Sequence, residues 1–241
     1  MSALLEVRGV SKSFRGLQAV SDVTFEVPEG EIVALIGPNG AGKTTLFNLA
    51  AGVFPADSGE IRLGGERIDG LRPDQVCQAG VGRTFQIVKP FHGLTVEENV
   101  TVGALRGHRR VKEARERAGE ILRTLGLWPK RADPAASLTL PERKRLEVAR
   151  ALATEPRILL LDEVMAGLRP TETDQMVGVF RELNRRTGLT ILLIEHVMRA
   201  VMALSRHVVV LNHGEVICRG APEQVVRDPA VLECYLGEES L

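Results

Sequence analysis

The residues Gly37-Pro38-Asn39-Gly40-Ala41-Gly42-Lys43-Thr44 fit the pattern G-x-x-x-x-G-K-[ST] at every fixed position. An apolar run of strand length, Ile-Val-Ala-Leu-Ile, precedes them, and a helix-like stretch over 45–51 follows. A strand that feeds a glycine-rich turn into a helix leaves several backbone N–H groups unpaired at the helix N-terminus. Together with the positive end of the helix dipole, those groups attract anions. The glycines let the backbone wrap closely around a phosphate. Lys43 can then reach the β- and γ-phosphates of a nucleotide, and the Thr44 hydroxyl can ligate Mg²⁺ with Thr45 beside it.

The remaining composition narrows the partners. At 241 residues the chain is long enough for one α/β domain with a sizeable interior. Lys plus Arg and Asp plus Glu number 31 each, so no global field recruits nucleic acid or acidic lipid. Cys77, Cys218 and Cys234 share no metal-ligand spacing and read as idle thiols in a reducing compartment. The N-terminus carries no basic region ahead of a long apolar stretch, so no export signal is expected. The longest apolar runs fall well short of a membrane span. If the chain acts on a membrane, another chain supplies the passage.

Short apolar runs alternate with helical stretches, which predicts a mainly parallel sheet covered by helices. Strands are expected at 4–8, 23–27, 32–36, 59–63, 158–162, 190–194, 207–212 and 215–220. The first 30 residues, with the Pro28-Glu29-Gly30 turn, read as a small antiparallel addition. Asn212-His213-Gly214 reads as a hairpin turn. From about residue 87 to 149 strand signals stop and helical spacing takes over, at 94–105 and 143–153. The expected organisation is a nucleotide-binding core of 1–86 and 150–241 with a helical subdomain of 87–149 inserted. The charged stretch 106–117 lacks the aromatics that stack on bases and reads as a solvated helix face laced with charge pairs.

Hydrolysis needs acids opposite the loop. The run Ile158-Leu-Leu-Leu-Asp162-Glu163 ends a buried strand in two of them. At the strand tip Asp162 can hold Mg²⁺ opposite Thr44, and Glu163 lies where it can polarise an attacking water. A second strand, 190–194, ends in Glu195-His196, where a histidine can hydrogen-bond a γ-phosphate.

With these motifs in this order, the whole chain resembles the ATP-binding cassette ATPases. The resemblance implies a P-loop NTPase (RecA-like) α/β core with a small antiparallel β subdomain and an inserted α-helical subdomain. It implies ATP and Mg²⁺ as ligands. Phe14 is similar to the aromatic that stacks on adenine. Gln86, in Arg83-Thr-Phe-Gln86, is similar to the glutamine that joins the metal to the helical lobe. Glu163 resembles the catalytic glutamate, residues 166–170 the loop exchanged across a dimer, and His196 the switch histidine. The family implies a head-to-tail pair of ATPase chains sandwiching two ATP molecules. That pair drives transmembrane permease subunits from the cytoplasmic face of the inner membrane, with a solute-binding protein outside. The strings over 82–86, 94–100, 191–196 and 234–237 are similar to the ATPase subunits of branched-chain amino acid importers. Urea and amide importers share the pattern, and the lipopolysaccharide-exporter ATPase is similar in length and ending. A non-transport cassette protein would carry tandem cassettes or long heptads, which this chain lacks.

One segment departs from the family. Its signature is usually Leu-Ser-Gly-Gly-Gln, whereas the aligned residues here are Leu138-Thr139-Leu140-Pro141-Glu142. Thr139 can still cap a helix, with Glu142 three residues on and Pro141 tolerated in the first turn. As an anion site the segment reads as impaired, with both glycines gone, one N–H lost at Pro141 and a carboxylate added. Thr139 retains a hydroxyl to offer a nucleotide. The expected arrangement is an asymmetric heterodimer, in which this chain uses its own phosphate loop with a partner's intact signature; a homodimer is the alternative. Val164, where proline usually follows the glutamate, is a second departure.

Overall fold

The computed structural model describes residues 2–85 and 90–236. Gln86 lies outside the described residues, as does Gly237.

Two long strands, β1 (Ala3–Phe14) and β2 (Leu17–Pro28), open the chain as an antiparallel pair. After β3 (Ile32–Ile36) come α1 (Lys43–Ala50), β4 (Ser58–Leu63), β5 (Glu66–Arg67), α2 (Pro73–Ala79) and β6 (Val81–Arg83). Three helices follow: α3 (Val96–Ala104), α4 (Val111–Thr124) and α5 (Leu140–Ala153). Then β7 (Ile158–Asp162), α6 (Pro170–Thr187), β8 (Thr190–Ile194), α7 (Met198–Leu204), β9 (His207–Asn212) and β10 (Glu215–Gly220) complete the core. The described chain ends on α8 (Pro222–Val225) and α9 (Pro229–Leu236).

The strands form two sheets, a four-stranded one ordered β2-β1-β4-β5 and a six-stranded one ordered β10-β9-β3-β8-β7-β6. The first is antiparallel throughout. In the second only the β9–β10 hairpin is antiparallel. Strands β3, β7 and β8 are buried along their whole length, as a sheet covered on both faces requires.

Alternation sorts their side chains. Ala34, Leu161 and Leu193 join one core with the helices α3 to α7. Val33, Leu160 and Leu192 join another with β1, β2, β4, α1 and α2. Each fully buried Leu or Ile contributes about 1.5–3 kcal/mol. The central sheet is therefore the shared wall of two cores, and its parallel strands deliver their C-terminal ends to one edge. Ligands in open α/β sheets bind at that edge.

Most expected elements are present near their expected bounds. The β9–β10 turn is a hairpin with His213 and Gly214 at φ 46° and 83°. The 94–105 expectation becomes α3, capped by Thr95, whose side chain accepts from the Glu98 N–H. Strand β6 was not expected, because Gly82 interrupts an otherwise weak signal. It forms because Val81, Gly82 and Arg83 pair with Ile158, Leu159 and Leu160. The charged stretch is helical only from Val111, where Arg117–Glu120 and Lys112–Glu116 pairs lie along α4, as a solvated face predicts.

Candidate nucleotide site

The phosphate loop lies between β3 and α1 and is seated by close backbone contacts. A Cβ at Gly37 would stand 2.0 Å from the Leu211 carbonyl oxygen, and one at Gly42 would stand 2.3 Å from that of Ala19. Both glycines have positive φ, 147° and 100°, so space and conformation exclude any side chain there. Gly42 starts α1, whose first turn holds no acid to oppose an anion. Lys43 is buried and its Nζ donates to the Gly37 and Pro38 carbonyls at 2.8 and 2.7 Å. Asn39, Gly40, Ala41, Gly42, Lys43, Thr44 and Thr45 line a cleft of about 360 Å³ together with Leu17, Gln18, Ala19, Glu163 and His213. The cleft therefore unites the loop with one of the two expected acids. His213 at its rim was not anticipated, because it sits in a turn.

Asp162 ends β7 beside this cleft, 1% exposed. Its Oδ2 accepts from Arg83 at 3.2 Å, and its Oδ1 is buried without a hydrogen-bond partner. Burial raises its carboxyl above the usual range despite the Arg83 charge, and burial likewise lowers Arg83. Arg83 also donates to Asn48 on α1 at 2.7 Å, joining β6, β7 and α1. An unpartnered buried carboxylate oxygen fits a divalent ion or its bound water. Among the described residues no group of three His, Cys, Asp or Glu side chains is placed to hold a metal. Mg²⁺ with one carboxylate, one hydroxyl and nucleotide phosphates matches such a donor set.

Glu163 stands at φ 50°, a left-handed backbone that costs a non-glycine residue about 1–3 kcal/mol. Its Oε1 lies 2.8 Å from His196 Nε2. The Glu163 N–H donates to the Ile194 carbonyl at 3.0 Å, so the ends of β7 and β8 set the pair. Glu195, 1% exposed, accepts from the Met165 N–H at 2.9 Å. Its carboxyl is pushed up to about 7, chiefly by burial, with the neighbouring Glu163 charge adding to the shift. Sequence reasoning gave Glu195 no role, although its place directly after an apolar strand repeats that of Glu163.

Phe14 and Thr139, like Gly37, Pro38, Asp162 and His196, are not among the residues that line the cleft. Phe14 ends β1 with its ring edge-on to Phe54, centroids 5.4 Å apart, while Leu17, Gln18 and Ala19 form the wall. Thr139 lies at the start of α5, where the Glu142 carboxylate accepts from its N–H at 2.9 Å and its hydroxyl at 2.8 Å. Glu142 also pairs with Lys130 at 2.8 Å. Burial opposes ionisation of Glu142, but the bonds from Lys130 and Thr139 outweigh it and hold its carboxyl below the usual value.

A family model described as ABC transporter matches residues 20–166, which span the loop, Asp162 and Glu163. The chain belongs to the ABC transporter family. A second model of this family, described as branched-chain amino acid ATP-binding cassette transporter, matches residues 215–240. This ABC ATPase is 41% identical to the high-affinity branched-chain amino acid transport ATP-binding protein BraF of Pseudomonas aeruginosa, over 98% of each chain. It is 36% identical to the lipopolysaccharide export system ATP-binding protein LptB of Haemophilus influenzae, again over 98% of each. Among solved structures it superposes on the ADP conformation of an ATP-binding cassette of an ABC transporter with a TM-score of 0.90. Identity there is 30%, and coverage is 98% of this chain and 100% of that one. No helix among the described residues is long and apolar enough to cross a membrane.

Proposed function

We propose that this ABC ATPase energises an importer of branched-chain amino acids, hydrolysing Mg-ATP in the cleft beside Glu163. The observation that carries the catalytic reading is the meeting of the phosphate loop and Glu163 in one cleft, with His196 2.8 Å from the Glu163 carboxylate. Residues Gly37, Pro38, Asn39, Gly40, Ala41 and Gly42 present backbone to the phosphates, with Lys43 and Thr45 beside them. Thr44, Asp162 and Gln86 would hold the metal, which neutralises charge on the phosphates when bound. Glu163 orients and polarises the attacking water, and the His196 N–H that meets the Glu163 carboxylate would pass to the γ-phosphate when nucleotide is bound. Phe14 offers its ring to adenine at the open end. The solute assignment is supported by the match over 215–240. Full-length identity favours it less sharply, since the export relative also aligns from end to end. Deleting the chromosomal copy is expected to remove high-affinity uptake of radiolabelled leucine, isoleucine and valine. Unchanged uptake of all three alongside lost uptake of urea or short amides would move the chain to the amide importers.

The work is delivered to permease subunits through a groove of about 270 Å³ between core and helical lobe. Exposed Val53, Phe85, Phe91 and Val102 line it, an apolar strip suited to a helix from a membrane subunit. Arg150 lies over the Phe91 ring at 4.6 Å and pairs with Glu147, whose carboxyl burial raises. Phe91→Cys is expected to crosslink to the permease in intact membranes. A cysteine at Phe91 that never crosslinks in the assembled complex would place the permease elsewhere. On this reading the chain sits at the cytoplasmic face of the inner membrane. It is paired with a second ATPase and served by a solute-binding protein outside.

A further inference from the structure

Helix α5 carries a buried cation that the proposed reaction does not use. Lys144 is 5% exposed, and its Nζ donates to the Glu163 backbone carbonyl at 3.0 Å. An ammonium is costly to bury unless charge and hydrogen bonds compensate it. Here burial holds the Lys144 ammonium below its usual range, and the field of Glu195, Glu163, Asp162 and Glu147 offsets that burial only in part. Glu163 meanwhile keeps its left-handed backbone, which persists only where neighbours fix it. Its N–H is fixed by the Ile194 carbonyl, and its carbonyl also accepts from the Ala166 N–H at 3.2 Å. Those two contacts come from β8 and from the turn itself. Lys144 comes from a different element, α5, which starts within the altered 138–142 segment.

We propose that Lys144 is a positioning residue for hydrolysis, tying α5 to the Glu163 backbone so that the Glu163 carboxylate faces the cleft only while α5 is seated against the turn after β7. The inference rests on the role given above to Glu163. It adds a route by which movement of the helical lobe reaches the reacting water without passing through the phosphate loop. Lys144 bonds the turn after β7, whereas nucleotide affinity resides in the loop between β3 and α1. The two properties should therefore separate on mutation.

The test uses the membrane complex purified through a tag on this chain. In Lys144→Met, kcat is expected to fall roughly 10–100-fold, the scale of an ångström-sized misplacement of a catalytic group. Affinity for a fluorescent ATP analogue should stay within about threefold, since the lost interaction concerns the transition state. Lys144→Arg, which retains a cation and N–H donors, should return kcat to within about fivefold of the wild type. A kcat within about threefold of the wild type in Lys144→Met, in protein of native melting temperature, overturns the proposal. So does an equal fall in both variants with a lowered melting temperature, which assigns Lys144 to packing alone. If Lys144→Met does not fold, Lys144→Gln takes its place under the same criteria. A wild-type complex that binds ATP without cleaving it removes the role of Glu163, and the inference falls with it. That case is told apart because the wild type itself fails.

Discussion

Glu163→Gln is expected to lower ATP turnover by about 10²–10⁴-fold while bound ATP is retained, the range general-base assistance contributes. Glutamine preserves the shape of the side chain and can still meet His196, which lies 2.8 Å from the carboxylate. What disappears is the negative charge that polarises water. The loop residues that grip the phosphates are untouched, and removing a like charge from the cleft favours the triphosphate. The variant should therefore hold uncleaved nucleotide. Incubation with radiolabelled Mg-ATP, gel filtration and chromatography of the bound label would read both properties at once. Recovery of mostly ADP at the wild-type rate would remove Glu163 from the reaction. A wild type that retains ATP as stubbornly as the variant would instead describe a nucleotide-binding regulator.

The loop, the central strands and the two acids were legible because each depends on local pattern. Residues 32–44 combine an apolar run, glycines at fixed spacing and a lysine, and few other structures tolerate that combination. Ile158-Leu-Leu-Leu-Asp162 is readable for the same reason, as an uninterrupted buried strand closed by an acid. What sequence did not reveal depends on packing between distant segments. Lys144 sits in Arg143-Lys144-Arg145, a string indistinguishable from a solvated helix face. Only its helical phase with Val148 and Ala151, both buried, marks the inward side. Arg83 pairs with Asp162 from 79 positions away, and the strand that carries it exists through pairing with β7 rather than through its own propensity. Glu195 was in plain view after β8, yet the adjoining histidine drew the functional reading. The same limit governs the 138–142 segment. The Thr139–Glu142 contact followed from their being three apart, but the Lys130 contact that neutralises Glu142 comes from the single 3-10 turn Trp128–Lys130, which carries no strong local signal.

That contact bears on the asymmetry expected of the working complex, for which Lys43→Ala and Thr139→Ala form the decisive comparison. Lys43 threads its ammonium onto the Gly37 and Pro38 carbonyls, poised where phosphates are gathered. Removing a buried charge that pairs with a ligand costs about 2–5 kcal/mol, and each 1.4 kcal/mol is tenfold. Lys43→Ala should therefore abolish most ATPase activity of the transporter complex. Thr139 is committed differently, since its hydroxyl and N–H both serve the Glu142 carboxylate. With Pro141 lacking an N–H and Leu140 reaching to Gly167, the start of α5 is built as a helix cap more than as a phosphate cradle. Losing the hydroxyl donation to Glu142 costs about 0.5–1.5 kcal/mol of local stability, so Thr139→Ala should lower the melting temperature slightly and leave turnover within about twofold. Lys130 already neutralises Glu142, so charge repulsion alone does not silence this segment. On the asymmetric reading, the missing glycines and the missing N–H would do so. Measured on the purified complex, a Thr139→Ala variant as inactive as Lys43→Ala would show that this segment grips the partner's nucleotide after all, and both sites would then be competent.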